Sequence, residues 1–232
     1  MMGKETLSVK QANNIINKAN DIYGNSNTRM NDLFDQFLTD ISKVWADNNA
    51  VKLAETVNDS YQEIMSNLTT NNRIFANTIT EIANSYKGVG GNQESITAIA
   101  LGFGGQLNLE QVKECFSNST NADDFGFLDI KTSPEVVMNS LKTLENDVNK
   151  ASVEIVNEIK GIPAFGNTQV QLEIAKSAGK VVQIIEEELK HVTKSTKEEI
   201  ENTARAYGAV GTAAIEAIGG LGNFKEMKNN ID

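Results

Sequence analysis

The sequence predicts an all-α protein built from two long antiparallel helical hairpins, of the four-helix-bundle or coiled-coil type. The 232 residues include only two prolines, so long stretches are free of helix breakers. Apolar residues recur every three or four positions through four such stretches. The links within each pair of stretches are short, which makes the paired helices antiparallel neighbours. We expect short helices between and after the hairpins.

The first helix is predicted from Val9 to Val44. Ser8 and Gln11 form a capping-box pattern that would satisfy N–H groups at its start. The weak point is the run Gly24-Asn25-Ser26-Asn27, which could kink the helix or divide it.

The second helix follows a bend at Trp45, Ala46 and Asp47. Asp47 or Asn48 is suited to cap it. Its apolar pattern extends to Tyr86, and the glycine-rich residues 88–91 are predicted to stop it.

The middle of the chain, residues 92–127, lacks a long apolar stripe. We expect a short apolar helix over 95–101, a glycine break at 102–105, and another helical turn or two over 109–116. Residues 117–124 are rich in Asn, Ser and Asp, which is typical of a loop.

The second hairpin begins at residues 132–135, where proline and glutamate favour a helix start. Residues 163–167 are predicted to form its bend, with Phe165 and Gly166 at the centre. The fourth helix is expected to be punctuated at its end by Gly208, Gly211 and Gly219-Gly220. The polar residues 223–232 form the tail.

The predicted packing seam consists of the large apolar residues that recur at heptad-like spacing along the four helices. Its main members are Phe34, Phe37, Leu68, Phe75, Tyr86, Leu141, Leu144, Ile185, Leu189 and Tyr207.

The two halves of the chain match at an offset of 121 residues, which places Leu68 on Leu189 and Tyr86 on Tyr207. Apolar phase alone would agree often between any two amphipathic hairpins, but the bends and helix ends agree as well. We therefore predict a duplication, with hairpins at 1–91 and 128–222 joined by a linker at 92–127. The sequence leaves open whether the hairpins pack on each other or bind other molecules.

The negative charge of the chain disfavours two classes of partner. A formal net charge of −10 disfavours nucleic acid and anionic membrane surfaces. No apolar run reaches the roughly 18 residues that a membrane-spanning helix needs. The polar start lacks a secretory signal, so we expect synthesis in the cytoplasm and any export to proceed without a cleaved signal peptide.

The composition also argues against catalysis and metal binding. The chain has one cysteine, Cys115, and one histidine, His191, and no nucleophile motif accompanies them. The glycine runs at 88–91 and 102–105 follow no strand and precede no Gly-Lys-Ser/Thr. We expect no enzyme activity, no cofactor, and no catalytic or metal-binding residue.

The first hairpin, with Trp45-Ala46-Asp47 at its bend, resembles the WXG100 (ESAT-6-like) family of type VII secretion. That family has two long helices joined at a Trp-x-Gly bend and dimerises into a four-helix bundle. Here Asp47 replaces the glycine, and Phe165-Gly166-Asn167 occupies the second bend. The family's Tyr-x-x-x-Asp/Glu export signal is absent, because glycine stands four residues after both Tyr86 and Tyr207.

The resemblance implies a non-enzymatic protein that acts by helix–helix association, as a tandem, secreted substrate or partner of type VII secretion. We expect a helical protein partner or self-association. One alternative is a membrane-active helical toxin component, suggested by the glycine-bearing apolar stretches 96–105 and 209–221. Another is a coiled-coil structural scaffold.

Overall fold

The computed structural model describes residues 6–45, 47–86, 95–114 and 134–218, with side chains through Arg205. These residues confirm the all-α fold class, and they contain no strand. The long helices are α1 (Val9–Ser42), α2 (Asn48–Ser85), α3 (Pro134–Lys160) and α4 (Thr168–Ile218). Residues 110–114 are also helical, within the range where a short helix was expected.

The predicted capping box starts α1. The Ser8 backbone N donates to Gln11 Oε1 at 2.9 Å, and the Gln11 backbone N donates to Ser8 Oγ at 3.2 Å. These two bonds satisfy groups that the first helical turn leaves without a backbone partner. The helix therefore begins at Val9, as the sequence predicts.

The Gly24–Asn27 run does not divide α1, which is continuous over 34 residues. Tyr23 and Met30 on either side are fully buried, so apolar packing outweighs the weak helix propensity of the run. The Ser26 hydroxyl donates to the Ile22 carbonyl at 2.6 Å, so it stays within the helix instead of competing with it.

The first bend is closed by Asp47, which caps α2. Its Oδ1 atom accepts hydrogen bonds from the backbone N of Asn49 at 2.8 Å and of Ala50 at 2.9 Å. Its Oδ2 atom accepts from Thr203 Oγ1 of α4 at 2.9 Å. A buried carboxylate at a helix N-terminus is stabilised by these donors and by the helix dipole.

The second bend turns through two left-handed residues, Phe165 with φ 52° and Gly166 with φ 74°. This region strains a residue with a side chain and suits glycine. Asn167 then caps α4, because its Oδ1 atom accepts from the backbone N of Val170 at 3.0 Å. At both bends, an aspartate or asparagine therefore caps the helix that follows.

Two predictions about helical bounds were wrong. Residues 95–101 form no helix, because their backbone groups bond to side chains of α1 and α2. The glycines Gly208 and Gly211 do not interrupt α4, which continues to Ile218. A single glycine costs a helix only about 1 kcal/mol, which the surrounding alanines offset. The last expected stop, Gly219-Gly220, lies outside the described residues.

The chain divides into two compact units. Unit 1 contains Met1–Asn31, Gln62–Gly105 and Val148–Glu188, and unit 2 contains Asp32–Tyr61, Gln106–Asp147 and Leu189–Asp232. The predicted boundaries at 91, 128 and 222 lie outside the described residues, so the duplication and its domain limits stay predictions.

Asp47→Ala should destabilise the protein by about 1–3 kcal/mol, because it removes a helix cap and a buried hydrogen bond to Thr203. Urea unfolding followed by circular dichroism measures the change. Asp40→Ala is the matched control, because Asp40 is a partly exposed carboxylate paired with Lys43, and it should alter stability by less than about 0.5 kcal/mol. Equal losses for the two variants would show that the cap is not important.

Candidate functional site

The predicted bend residues differ in their exposure. In unit 2, Trp45 is fully buried, and no described residue accepts a hydrogen bond from its Nε1. Trp45 therefore fills the core of unit 2 at the bend. Ala46 lies outside the described residues. In unit 1, Phe165 and Gly166 are exposed.

Most of the predicted seam residues lie in the cores of the two units. Leu68, Phe75 and Ile185 are buried in unit 1, and Tyr86 is half-buried there. The members buried in unit 2 are Phe34, Phe37, Leu141, Leu144 and Leu189. The side chain of Tyr207 lies outside the described residues. A role for these positions in binding a partner stays a prediction.

Unit 1 contains a buried polar cluster that joins three helices. The Tyr23 hydroxyl of α1 lies 2.8 Å from Ser177 Oγ of α4. Asn71 Nδ2 of α2 donates to the Tyr23 hydroxyl at 2.7 Å and to the Ser177 carbonyl at 3.0 Å. A one-turn slip of any of the three helices would leave these groups unpaired, so the cluster fixes their register.

Burial raises the pKa of Tyr23 to about 12, and the hydrogen bonds with Ser177 and Asn71 offset part of that rise. The phenol is therefore neutral over the physiological pH range. It can donate one hydrogen bond and accept another, as the cluster requires.

A second polar feature of unit 1 is a row of side chains that we call the ladder: Asn13, Asn20 and Asn27 of α1 with Thr69 and Asn72 of α2. The three asparagines of α1 are spaced seven residues apart, so they lie on one face of the helix. The ladder faces residues 95–105, which we call the strap.

Two asparagines of α1 bind the first half of the strap through its backbone. Asn13 Oδ1 accepts from the backbone N of Thr97 at 3.0 Å and of Ala98 at 2.9 Å. Asn20 Oδ1 accepts from the Leu101 backbone N at 2.9 Å, and Asn20 Nδ2 donates to the Ile99 carbonyl at 2.8 Å. Each amide side chain thus supplies two hydrogen bonds to main-chain groups.

The residues of α2 bind the second half. Thr69 Oγ1 accepts from the Phe103 backbone N at 2.9 Å and lies 3.0 Å from the Phe103 carbonyl oxygen. Asn72 Nδ2 donates to the Leu101 carbonyl at 3.3 Å and to Asn20 Oδ1 at 2.8 Å. Asn72 therefore links the ladder across the two helices.

The strap is an extended chain that runs in the same direction as α1. From Asn13 to Asn27 a helix rises about 21 Å. The strap residues bonded to these two asparagines are Thr97 and Gly104. Covering that distance requires a rise of about 3 Å per residue, which is typical of a strand or a polyproline helix. The exposure of its side chains alternates from Ser95 to Leu101, as the two faces of an extended chain require.

Phe103 anchors the strap. Its ring stacks on Tyr23, with centroids 6.4 Å apart and planes at 17°. Its Cε1 atom would lie 3.4 Å from a Cβ placed on Gly24. A residue larger than alanine at position 24 would therefore occupy the space of the ring. This contact restricts position 24 of the helix to a very small residue.

Unit 2 holds the chain that follows the strap in a similar way. Asn58 Oδ1 accepts from the Leu107 backbone N at 3.1 Å, and Asp35 Oδ1 accepts from the Asn108 backbone N at 3.0 Å. Leu107 and Val112 are buried there.

The geometry of these contacts suits binding of polypeptide backbone. The described residues contain no group of three potential metal ligands. His191 is exposed, and Cys115 lies outside the described residues. In the described part of the chain, no helix is both apolar enough and long enough to span a membrane.

Sequence reasoning missed the ladder and the strap, although one signal was available. Asparagine recurs at positions 13, 20 and 27 of a helix, and a heptad row of a residue with low helix propensity indicates contact with something other than water. The alternation of partly buried and exposed residues over 95–101 was not recognised, because the alanines in this range are equally compatible with a helix.

Comparison of the chain with protein-family models, with curated proteins and with solved structures gave no match.

Tyr23→Phe should flatten the loss of stability at alkaline pH. The folded-state pKa is about 12, against 10.0 for an ordinary tyrosine. The unfolded chain therefore ionises first, and wild-type stability that is complete below pH 10 falls by about 2–3 kcal/mol as the pH rises to 12. The variant should lack that part of the decline.

Urea unfolding of both proteins at neutral pH and above pH 10 provides the measurement. At neutral pH the variant should be less stable by about 1 kcal/mol, because Asn71 and Ser177 lose a partner. Parallel pH profiles for the two proteins would contradict the assigned burial of the phenol.

Proposed function

We propose that the protein is a non-enzymatic helical binding protein, a WXG100-like substrate or partner of type VII secretion that associates with a helical partner along its hairpins. The observation that carries the proposal is a long α1–α2 hairpin with a fully buried tryptophan, Trp45, at a short bend. A tryptophan at that place is what the resemblance implies. Asp47, which replaces the family's glycine, serves as the cap of α2.

The second hairpin offers exposed apolar side chains for such an association. In unit 1, Val153 of α3 is 60% exposed and Leu172 of α4 is 58% exposed, and Phe165 at their bend is also exposed. Large apolar side chains on a helix surface favour burial against another amphipathic helix.

The membrane-active alternative has less support. The first stretch that suggested it, residues 96–105, includes most of the strap, whose backbone is bonded to the ladder. Releasing it into lipid would leave those polar groups unpaired. No described feature favours the coiled-coil scaffold over the binding protein.

Co-expression of the full chain with small helical proteins encoded beside its gene tests the proposal. We expect a stoichiometric complex by size-exclusion chromatography with light scattering. The double variant Val153→Lys/Leu172→Lys should weaken the complex about tenfold or more, since it places two charges in an apolar interface. Lys180→Ala, at an exposed polar site of α4, should leave the affinity within about twofold.

Two results would contradict the proposal: a monomer that forms no complex with any of these proteins, or a complex insensitive to the double variant. The link to secretion has a separate test. A tagged chain should accumulate in the culture medium of its bacterium and should be absent from the medium when the secretion ATPase is deleted. Equal export without the ATPase would remove the secretion assignment and leave the binding function intact.

A further inference from the structure

We propose that the groove between α1 and α2 that the ladder lines is a binding site for an extended segment of another polypeptide, and that the strap is its replaceable internal occupant. This mode of binding differs from the helix–helix association proposed above. It uses main-chain hydrogen bonds to an unfolded segment, and it lies on the first hairpin.

The ladder recognises backbone, which every polypeptide carries. Its hydrogen bonds to the strap go to main-chain N–H groups of Thr97, Ala98, Leu101 and Phe103 and to main-chain carbonyls. Affinity that comes from main-chain bonds is tolerant of sequence, as it is when a peptide adds to a sheet edge. The heptad rise of α1 supplies these side chains at regular intervals.

The side chains of the strap define the selectivity that remains. Ile96, Ala98, Ala100 and Phe103 are partly buried, whereas Thr97, Ile99 and Leu101 are exposed. A ligand that matches the strap must therefore be extended, carry small residues at the positions of Ala98 and Ala100, and place an aromatic ring against Tyr23 and Gly24. The chemical class is a peptide of the pattern small-x-small-x-x-aromatic.

The strap is held weakly enough to be replaced. None of its residues is fully buried, and Ile99 is 72% exposed. Segments held by partly exposed hydrogen bonds with little apolar burial open at a lower free energy than the core. The strap also leaves Asn72 Oδ1 buried without a donor among the described residues, so the ladder has an acceptor that this occupant does not use.

A covalently attached occupant competes with any external ligand. The apparent association constant of the groove is its intrinsic association constant multiplied by the fraction of molecules in which the strap is released. Weakening the strap without altering the groove should therefore increase binding of the same peptide from solution.

The first experiment measures binding of a fluorescent peptide with the sequence of residues 95–105 to the full-length chain by anisotropy. The Phe103→Ala chain should bind this peptide about tenfold more tightly than wild type, because the internal anchor is lost and the external one remains. A peptide with Phe103→Ala should bind that same chain about tenfold more weakly than the parent peptide, since it lacks the ring that stacks on Tyr23.

The second experiment changes the peptide and keeps the protein constant. Peptides with Ile99→Lys and Leu101→Lys should bind the Phe103→Ala chain within about threefold of the parent, because these side chains face water. Peptides with Ala98→Leu and Ala100→Leu should lose about tenfold or more, since the added atoms meet the helices. Equal effects at the two sets of positions would overturn the proposed register.

Hydrogen exchange on the wild-type chain removes any dependence on whether the variants fold. The amides of Thr97, Ala98, Leu101 and Phe103 should exchange much faster than amides in the buried middle of α1. Protection equal to that of α1 would overturn the proposal, because the strap would then open only with the whole fold. The absence of peptide binding to the Phe103→Ala chain would overturn it as well.

A dimer of the wild-type chain that dissociates when the free peptide is added would assign the groove to the strap of a second copy. Light scattering with and without peptide detects this outcome, which also contradicts binding of a foreign segment. Failure of the helical-partner complex leaves these measurements unaffected, so the two proposals fail separately.

Discussion

Every backbone N–H and C=O that leaves water must find a hydrogen-bond partner, and this requirement governs the non-helical parts of the molecule. Within the helices the backbone satisfies itself. At the bends, Asp47 and Asn167 supply the missing acceptors for the helices that follow. Along α1 and α2, the ladder does the same for the strap, which has no sheet or helix of its own.

Side-chain amides suit this task because one group both donates and accepts. Asn20 uses both functions on the strap, and Asn71 uses its donor twice within the buried cluster around Tyr23. A core of aliphatic residues tolerates sliding between helices, whereas these directional contacts do not. The same chemistry thus sets the register of the helices in unit 1 and holds a segment against them.

The sequence predicts the long helices well, because their signals are local and repeated. Ser8 and Gln11, Asp47 and Pro134 mark helix starts by chemistry that acts within one turn. The buried face of each helix follows from the apolar residues that recur every three or four positions, which can be recognised in the sequence alone.

What the sequence did not predict depends on contacts between distant residues. The composition of the strap favours a short helix. The strap is extended because its backbone bonds to side chains of α1, about 80 positions earlier in the sequence. The ladder was missed for the same reason, since asparagine on a helix face is ordinarily solvent-exposed. Gly208 and Gly211 were overrated as stops because the propensity cost of a single glycine is small in a long helix that also contains several alanines.

The spacing of the ladder couples two different periodicities. A heptad of α1 advances about 10.5 Å, which is the length of roughly three and a half extended residues. Because this is not a whole number of residues, successive asparagines face different backbone groups of the strap. Asn13 accordingly meets two N–H groups, Asn20 one N–H and one carbonyl, and Asn27 a carbonyl. One residue inserted into either α1 or the strap would therefore move every later asparagine away from its backbone partner.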